Sequence, residues 1–247
     1  MNQWIDHYKN ASTRLILLDY DGTLTNYTSV PAEAKLSSQI EAIIRKLNEI
    51  AGTEVVIITG REYQDIDRLV GHLPIKIIAE HGAMAKDGGK WKVRTGTTAQ
   101  WKSIVLPFFD EAVCNCTGSF VEEKRFCLTW HYRNSDQIVG YNYSRDLMNR
   151  IEEATQKNGL RVIDGAKVVE VLRKEINKGK ATLDLLRNSS YDLVLSIGDD
   201  KTDEDMFEVL TDDKKHMTIK VGQGQTSARY SVGNTADVAL ILEGLLL

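Results

Sequence analysis

Short runs of apolar residues punctuate the chain, and each stops abruptly at polar ones. Leu15-Ile16-Leu17-Leu18 ends at Asp19-Tyr20-Asp21-Gly22-Thr23, and Val55-Val56-Ile57-Ile58 at Thr59-Gly60-Arg61. Ile75 to Ala79 ends at Glu80-His81-Gly82, and Leu193-Val194-Leu195-Ser196-Ile197 at Gly198-Asp199-Asp200. Runs this short and this apolar predict strands buried on both faces. Between them the period turns helical. Leu36, Ile40, Ile43, Ile44, Leu47 and Ile50 predict a helix over 33–50, and Ile66, Leu69, Val70 and Leu73 another over 62–73. Further helices are expected over 179–187 and 202–210, the second with Thr202 as its cap, and a strand over 217–221. Val238 to Leu242 and Leu245 to Leu247 close the chain as apolar segments. Strands alternating with helices make a parallel α/β sheet, and right-handed crossovers put the strand ends on one edge. Ligands bind at that edge in such sheets, so the polar clusters should meet in one crevice.

From Lys86 the pattern changes. Gly88-Gly89 reads as a hairpin turn with Trp91 to Val93 returning. A helix is expected from Thr98 to about Val113, with Pro107 a candidate break. Ser119 to Arg133 reads as one long strand, and 137–157 as a helix closed by Gly159. Leu160–Ile163 and Lys167–Leu172 read as strands around an Asp164-Gly165 turn. The expected division is a Rossmann-like α/β core over 1–86 and 173–247, with an inserted α+β unit over 87–172.

Composition narrows the function. The 247-residue chain carries a formal charge of −4, which argues against nucleic-acid or membrane-surface partners. No apolar run approaches the roughly 20 residues that span a bilayer. The first residues, Met1-Asn2-Gln3-Trp4-Ile5-Asp6, lack the basic and apolar regions of a signal peptide, so a cytoplasmic placement is expected. Cys114, Cys116 and Cys127 cannot all pair with one another, which suits a reducing compartment. Cys114 and Cys116 lack companion ligands and are read as buried or bystander thiols.

Asp19 and Asp21, one residue apart at a strand end, repel each other and would welcome a divalent cation. An aspartate can also attack a phosphate monoester and carry the phosphoryl group. Asp21, placed past the turn, is the expected acid that protonates the leaving oxygen and then activates water. Asp19, Asp21 and Asp199 are the candidate ligands for Mg²⁺, with Asp200 and Asp203 supporting. Thr59 and Lys178 would bind phosphoryl oxygens. Each residue has a plainer reading: a capping threonine, a solvated lysine, an acidic helix start favoured by the helix dipole. All of them together, in this order and at strand ends, favour chemistry.

Asp19-Tyr20-Asp21-Gly22-Thr23, Thr59-Gly60-Arg61, Asn177-Lys178-Gly179 and Gly198-Asp199-Asp200 resemble the four motifs of the haloacid-dehalogenase superfamily of phosphatases. The inserted unit is similar to that superfamily's α/β cap domain. Gly198-Asp199-Asp200-Lys201-Thr202-Asp203-Glu204-Asp205-Met206-Phe207, Glu80-His81-Gly82, Val121-Glu122-Glu123-Lys124 with His131-Tyr132-Arg133, and Gly165-Ala166-Lys167-Val168-Val169-Glu170-Val171 resemble one branch, the trehalose-6-phosphate phosphatases. Leu172-Arg173-Lys174 stands where that branch often has Arg-Pro.

The resemblance implies Mg²⁺-dependent hydrolysis of trehalose 6-phosphate through phospho-Asp19, in trehalose biosynthesis. It implies substrate contacts from Gly60, Arg61, Glu80, His81, Glu122, Lys124, Lys167 and Glu170, and a cap that closes over the substrate. On spacing alone, Glu122 and Lys124 share a strand face, but Lys167 and Glu170 do not, and a solvated sheet face explains all four. His131 is assigned to the cap's packing or rim; Trp91, Trp101 and Trp130 could stack on sugar rings, core packing being the commoner fate of tryptophan. Lys180 competes with Lys178 for the phosphate. The alternatives are another sugar-phosphate phosphatase, acting on sucrose 6-phosphate or a glucosyl- or mannosyl-glycerate phosphate, and a non-catalytic partner of a trehalose-phosphate synthase. A monomer with a small-molecule substrate, functionally paired with that synthase, is expected.

Overall fold

The computed structural model describes residues 2–28, 30–94, 100–213 and 215–246. In chain order its elements begin α1 (Asn2–Asn10), β1 (Arg14–Leu18), α2 (Ser38–Glu49), β2 (Thr53–Ile58), α3 (Tyr63–Val70), β3 (Lys76–Ala79), β4 (Met84–Asp87) and β5 (Lys90–Val93). There follow α4 (Lys102–Asn115), β6 (Phe120–Glu123), β7 (Cys127–His131), α5 (Gln137–Thr155), β8 (Leu160–Gly165) and β9 (Val168–Arg173). The last are α6 (Lys178–Asn188), β10 (Leu193–Gly198), α7 (Glu204–Leu210), β11 (Met217–Val221), β12 (Tyr230–Val232) and α8 (Thr235–Gly244). The chain divides into two compact units, Met1–Arg94 with Asn177–Leu247, and Thr95–Ile176.

The first unit is built on an eight-stranded sheet of order β12-β11-β10-β1-β2-β3-β4-β5. β12 to β3 run parallel, and β4 and β5 are antiparallel additions. β1 lies between β10 and β2, with Leu18 opposite Ile197 on one side and Ile57 on the other. Leu15 to Leu18 are wholly buried, as a strand covered on both faces requires. That register decides where chemistry can occur. One residue beyond Leu18 the chain can no longer stay apolar, and the polar residues after β1, β2 and β10 emerge side by side.

The predicted border at 86/87 moves to 94/95, and that at 172/173 to 176/177. The Gly88-Gly89 hairpin extends the first unit's sheet instead of opening the inserted one, because β4 pairs with β3. Asp67 on α3 ties it down, accepting from Lys86 Nζ at 2.5 Å and Trp91 Nε1 at 2.9 Å. α2 starts at Ser38, not 33, because the Ser37 hydroxyl accepts from the Ile40 amide and caps it there. Val238 to Leu242 lie in α8, which a capping box of Asn234 and Asp237 initiates.

The second unit is a four-stranded antiparallel sheet of order β6-β7-β9-β8. Val105, Phe109 and Ala112 of α4, with Leu147 and Ile151 of α5, pack on Leu128, Trp130, Val169 and Val171. Trp101 joins this core. The predicted long strand over 119–133 is a hairpin, broken at Lys124-Arg125-Phe126 so that β6 folds back on β7. The β8–β9 turn falls at Ala166-Lys167, with Gly165 paired to Val168. α4 runs through Pro107. Its predicted start at Thr98 lies outside the described residues, as does Leu247.

Candidate active site

Asp19 leaves β1 with its amide donating to the Ile197 carbonyl at 3.0 Å, so its carboxylate is buried at the sheet edge. A buried carboxylate demands a partner, and Lys178 supplies it. Lys178 is the first residue of α6, whose start is fixed by the Asn177 side chain accepting from the Lys180 amide at 2.6 Å. Lys178 is 1% exposed, and its ammonium donates to Asp19 Oδ1 at 2.6 Å and to Asp203 Oδ1 at 2.7 Å. Lys180 is exposed, so Lys178 is the lysine at the carboxylates. Burial and the nearby Asp203 push the Asp19 carboxyl well above the usual range despite Lys178. Burial would lower the lysine, but Asp19 and Asp203 hold it well above its ordinary value.

The acidic run after β10 is a knot of hydrogen bonds. Asp203 Oδ2 accepts from the amides of Asp199 at 2.9 Å and Asp200 at 3.0 Å, while its Oδ1 takes Lys178. Asp200 Oδ1 accepts from the Thr202 amide and hydroxyl, both at 2.7 Å. Burial alone would raise Asp200, but Lys178 and these donors hold it below the carboxylate range. Thr202 is therefore not the helix cap; α7 begins at Glu204 with Asp203 in the cap position.

Asp199 is different. Its Oδ2 accepts from the Tyr27 hydroxyl at 2.9 Å, and its Oδ1 is buried with no hydrogen-bond partner among the described residues. Burial, Asp200 and Asp203 push its carboxyl up to about 7. Lys220 donates to the Asp199 carbonyl. Gly22 is needed beside it: its φ is 80°, and a Cβ there would run into the Asp199 carboxylate.

Ligand atoms of Asp19, Asp199 and Asp203 all lie within 4.8 Å of one another. Asp203 has spent both oxygens, so Asp19 and Asp199 are the two with capacity for a metal. A cluster holding more negative charge than it can keep ionised, with one orphaned buried oxygen, fits a hard divalent cation. Among the described residues Cys114 and Cys116 join no such cluster, and all three thiols are free.

The Asp21 carboxylate, expected among the ligands, is not in this group. Both its oxygens accept from the Arg61 guanidinium at 2.6 Å, a bidentate fork. Arg61 also donates to the Pro31 carbonyl at 2.8 Å and lies over the Tyr20 ring. The Arg61 side chain is thus engaged by Asp21. Thr59, buried at the end of β2, accepts from the Arg61 amide at 3.1 Å, so its own proton is what it can offer a ligand. Glu80 and His81, both buried, adopt φ of 50° and 55°. Such strain persists only where the surroundings over-determine it, and here the amides of Glu80 and His81 bond the Arg61 and Thr59 carbonyls. Gly60 leaves room for the His81 ring.

In the second unit, Lys124 lies just past β6, with Nζ 3.6 Å from Glu122 Oε2 and 3.9 Å from Glu170 Oε1. The Thr129 hydroxyl between them donates to Glu170 at 3.1 Å. Lys167 sits in the β8–β9 turn with φ 69°, so strand alternation does not bind it to either face. Trp130 is buried and stacked on Tyr132.

Tyr27 and Lys220 were missing from the sequence reading. Tyr27 lies in an irregular loop with no period to mark it. Lys220 was detectable, as a lone cation inside the apolar strand Met217-Thr218-Ile219-Lys220-Val221.

Comparison with known proteins adds the family. A family model described as Trehalose-phosphatase matches residues 17–237. The bifunctional trehalose-6-phosphate synthase/phosphatase of Thermoproteus tenax is 36% identical over 96% of this chain, which spans 32% of that protein. The chain spans about a third of the length of the curated relatives it matches. A structure of the C-terminal domain of the Candida albicans trehalose-6-phosphate phosphatase superposes with a TM-score of 0.92 at 28% identity, covering 100% of this chain and 97% of that one. A haloacid dehalogenase-like hydrolase from B. subtilis, 15% identical over 93% of this chain and 98% of its own, shares the fold with a TM-score of 0.66.

Proposed function

The chain belongs to the trehalose-phosphatase family, and from that premise we propose that it hydrolyses trehalose 6-phosphate to trehalose and phosphate through a phospho-Asp19 intermediate. The observation that carries this reading is the buried Asp19 carboxylate, held by Lys178 within 4.8 Å of Asp199 and Asp203 ligand atoms. A general acidic patch would not bury a lysine among carboxylates at a strand end.

The residues divide the work. An Asp19 oxygen attacks phosphorus, the bond from phosphorus to the sugar oxygen breaks, and that oxygen takes a proton from Asp21. Asp21 then takes a proton from the water that cleaves the acyl-phosphate, restoring the Asp19 carboxylate. To act as acid, Asp21 must leave its fork with Arg61. Lys178 and the Thr59 proton face the phosphoryl oxygens, and Asp203 fixes both Lys178 and the Asp199 backbone. Mg²⁺, held by Asp19 and Asp199, would neutralise the repulsion between carboxylate and phosphate. Glu122, Lys124, Lys167 and Glu170 are assigned to the sugar hydroxyls, with Glu80 and His81 supporting the phosphate end. A synthase would supply the substrate, in keeping with the bifunctional relative.

Phosphate release from trehalose 6-phosphate, glucose 6-phosphate and sucrose 6-phosphate, with and without EDTA, tests the reading. Trehalose 6-phosphate should be preferred by about 10-fold or more in kcat/KM, a discrimination of the order that matched hydroxyl contacts supply, and EDTA should abolish turnover. Preference for sucrose 6-phosphate would transfer the chain to the neighbouring activity. No metal-dependent turnover on any substrate would favour the non-catalytic reading.

Tyr27 carries a second expectation. Tyr27→Phe removes the donor that orients Asp199, and groups that orient a ligand are worth about 10-fold in metal affinity. Calorimetric titration with Mg²⁺ should show that loss; unchanged affinity would mean the Tyr27 hydroxyl does not position Asp199.

A further inference from the structure

Alternate residues of β6, β7 and β9 share the sheet face opposite to the one packed by α4 and α5. Phe120 is opposite His131, Glu122 opposite Thr129, and Thr129 opposite Glu170. Two groups on this face are not explained by packing. Phe120 is 50% exposed although it lies in a row of carboxylates and a lysine. It stacks on the His131 imidazole, with ring centroids 4.6 Å apart and planes within 7°. The same imidazole reaches sideways, its Nε2 2.8 Å from Glu122 Oε2. That hydrogen bond lowers the Glu122 carboxyl below its ordinary value, against the pull of burial.

The combination has a specific chemical counterpart. A pyranose presents C–H groups on its faces and hydroxyls around its rim. An exposed aromatic ring suits the first, and fixed carboxylates with a neighbouring ammonium suit the second. Phe120 and Glu122 are one side-chain repeat apart on the same strand, roughly 7 Å, about the width of one sugar ring. His131 serves both: it backs the aromatic ring and fixes the carboxylate rotamer, so less freedom is lost on binding.

We propose that Phe120 and His131 are specificity-determining residues of a sugar subsite on the second unit, Phe120 stacking on a pyranose face while His131 positions Glu122 for that sugar's hydroxyls. This rests on the disaccharide-phosphate reading above and adds two residues to it. It also revises the sequence-based placement of His131 in packing or rim.

The test compares trehalose 6-phosphate with p-nitrophenyl phosphate, which carries no sugar. The readout is the ratio of the two kcat/KM values, which cancels any general loss of active protein. Phe120→Ala and His131→Gln should each lower that ratio by about 10-fold, mainly through KM for the sugar phosphate. Phe120→Tyr, which keeps the ring, should hold the parental ratio. A ratio unchanged in both variants, or a Phe120→Tyr loss equal to that of Phe120→Ala, overturns the subsite while trehalose 6-phosphate turnover by the parent stands. If the parent cleaves only p-nitrophenyl phosphate, the disaccharide reading itself fails, and the subsite with it.

Discussion

Replacing Asp19 by asparagine is expected to lower kcat for phosphate release by about 10⁴-fold or more, the scale on which loss of a nucleophile is felt, without lowering thermal stability. The catalytic half follows from the chemistry: an amide cannot carry the phosphoryl group as a carboxylate does. The stability half follows from the site. Burial and Asp203 raise the Asp19 carboxyl well above its unfolded value, more than Lys178 lowers it. A raised carboxyl binds its proton more readily when folded, so folding loses stability as pH climbs from the unfolded pKa of about 4 through the raised one. Ionising Asp19 in the folded site is therefore a cost, and a neutral side chain of the same shape avoids it. A metal-free melting experiment at pH 7.5 should put the Asp19→Asn midpoint at or above the parent's. A clearly lower midpoint would contradict the electrostatic account, and retained turnover would remove Asp19 from the role of nucleophile.

Lys178→Met should have the largest effect on stability. The methionine matches the volume but leaves Asp19 and Asp203 buried without their cation. Breaking such a pair from one side costs about 3–5 kcal/mol, far more than an exposed ion pair. The loss should also depend on pH in a defined direction. Burial raises the Asp203 carboxyl to about 6 even with Lys178 beside it, and removing the ammonium raises it further. Protonation then relieves the repulsion as pH falls, so the penalty at pH 8 exceeds that at pH 5. Urea unfolding at both values should show the deficit shrinking on acidification. An equal deficit at both would mean lost packing, not stranded charge, is the cause. Activity should fall as well, since the proposed mechanism assigns the same ammonium to the phosphoryl oxygens.

Asp19 and Asp199 are legible early because their signal is local. A strand buried on both faces must end where a charge begins, so Leu18-Asp19 and Ile197-Gly198-Asp199 announce strand ends without any knowledge of the fold. Periodicity likewise placed α2, α3 and α5 to within a few residues. It failed where distant pairing outweighed local pattern. The charged hairpin at 84–93 looks like the start of something new, yet β3 and Asp67 hold it to the first sheet. The alternating residues of 119–133 suit one strand or two, and only pairing of β6 on β7 decides for two. Val238 to Leu242 is too short an apolar run to distinguish strand from helix; the Asn234 and Asp237 capping box settles it.

By itself, then, the sequence determined the inventory: which residues must come to the rim of a parallel sheet, and that they are carboxylates, a lysine and a threonine. Tertiary structure alone decided how they are paired. Asp203 and Lys178 stand 25 positions apart, Arg61 and Asp21 40, and Tyr27 and Asp199 172. These contacts leave no periodic trace, because they depend on strand order and crossover geometry. Burial along β1 fixes that strands end at charge, but only the packed sheet sets which charge faces which.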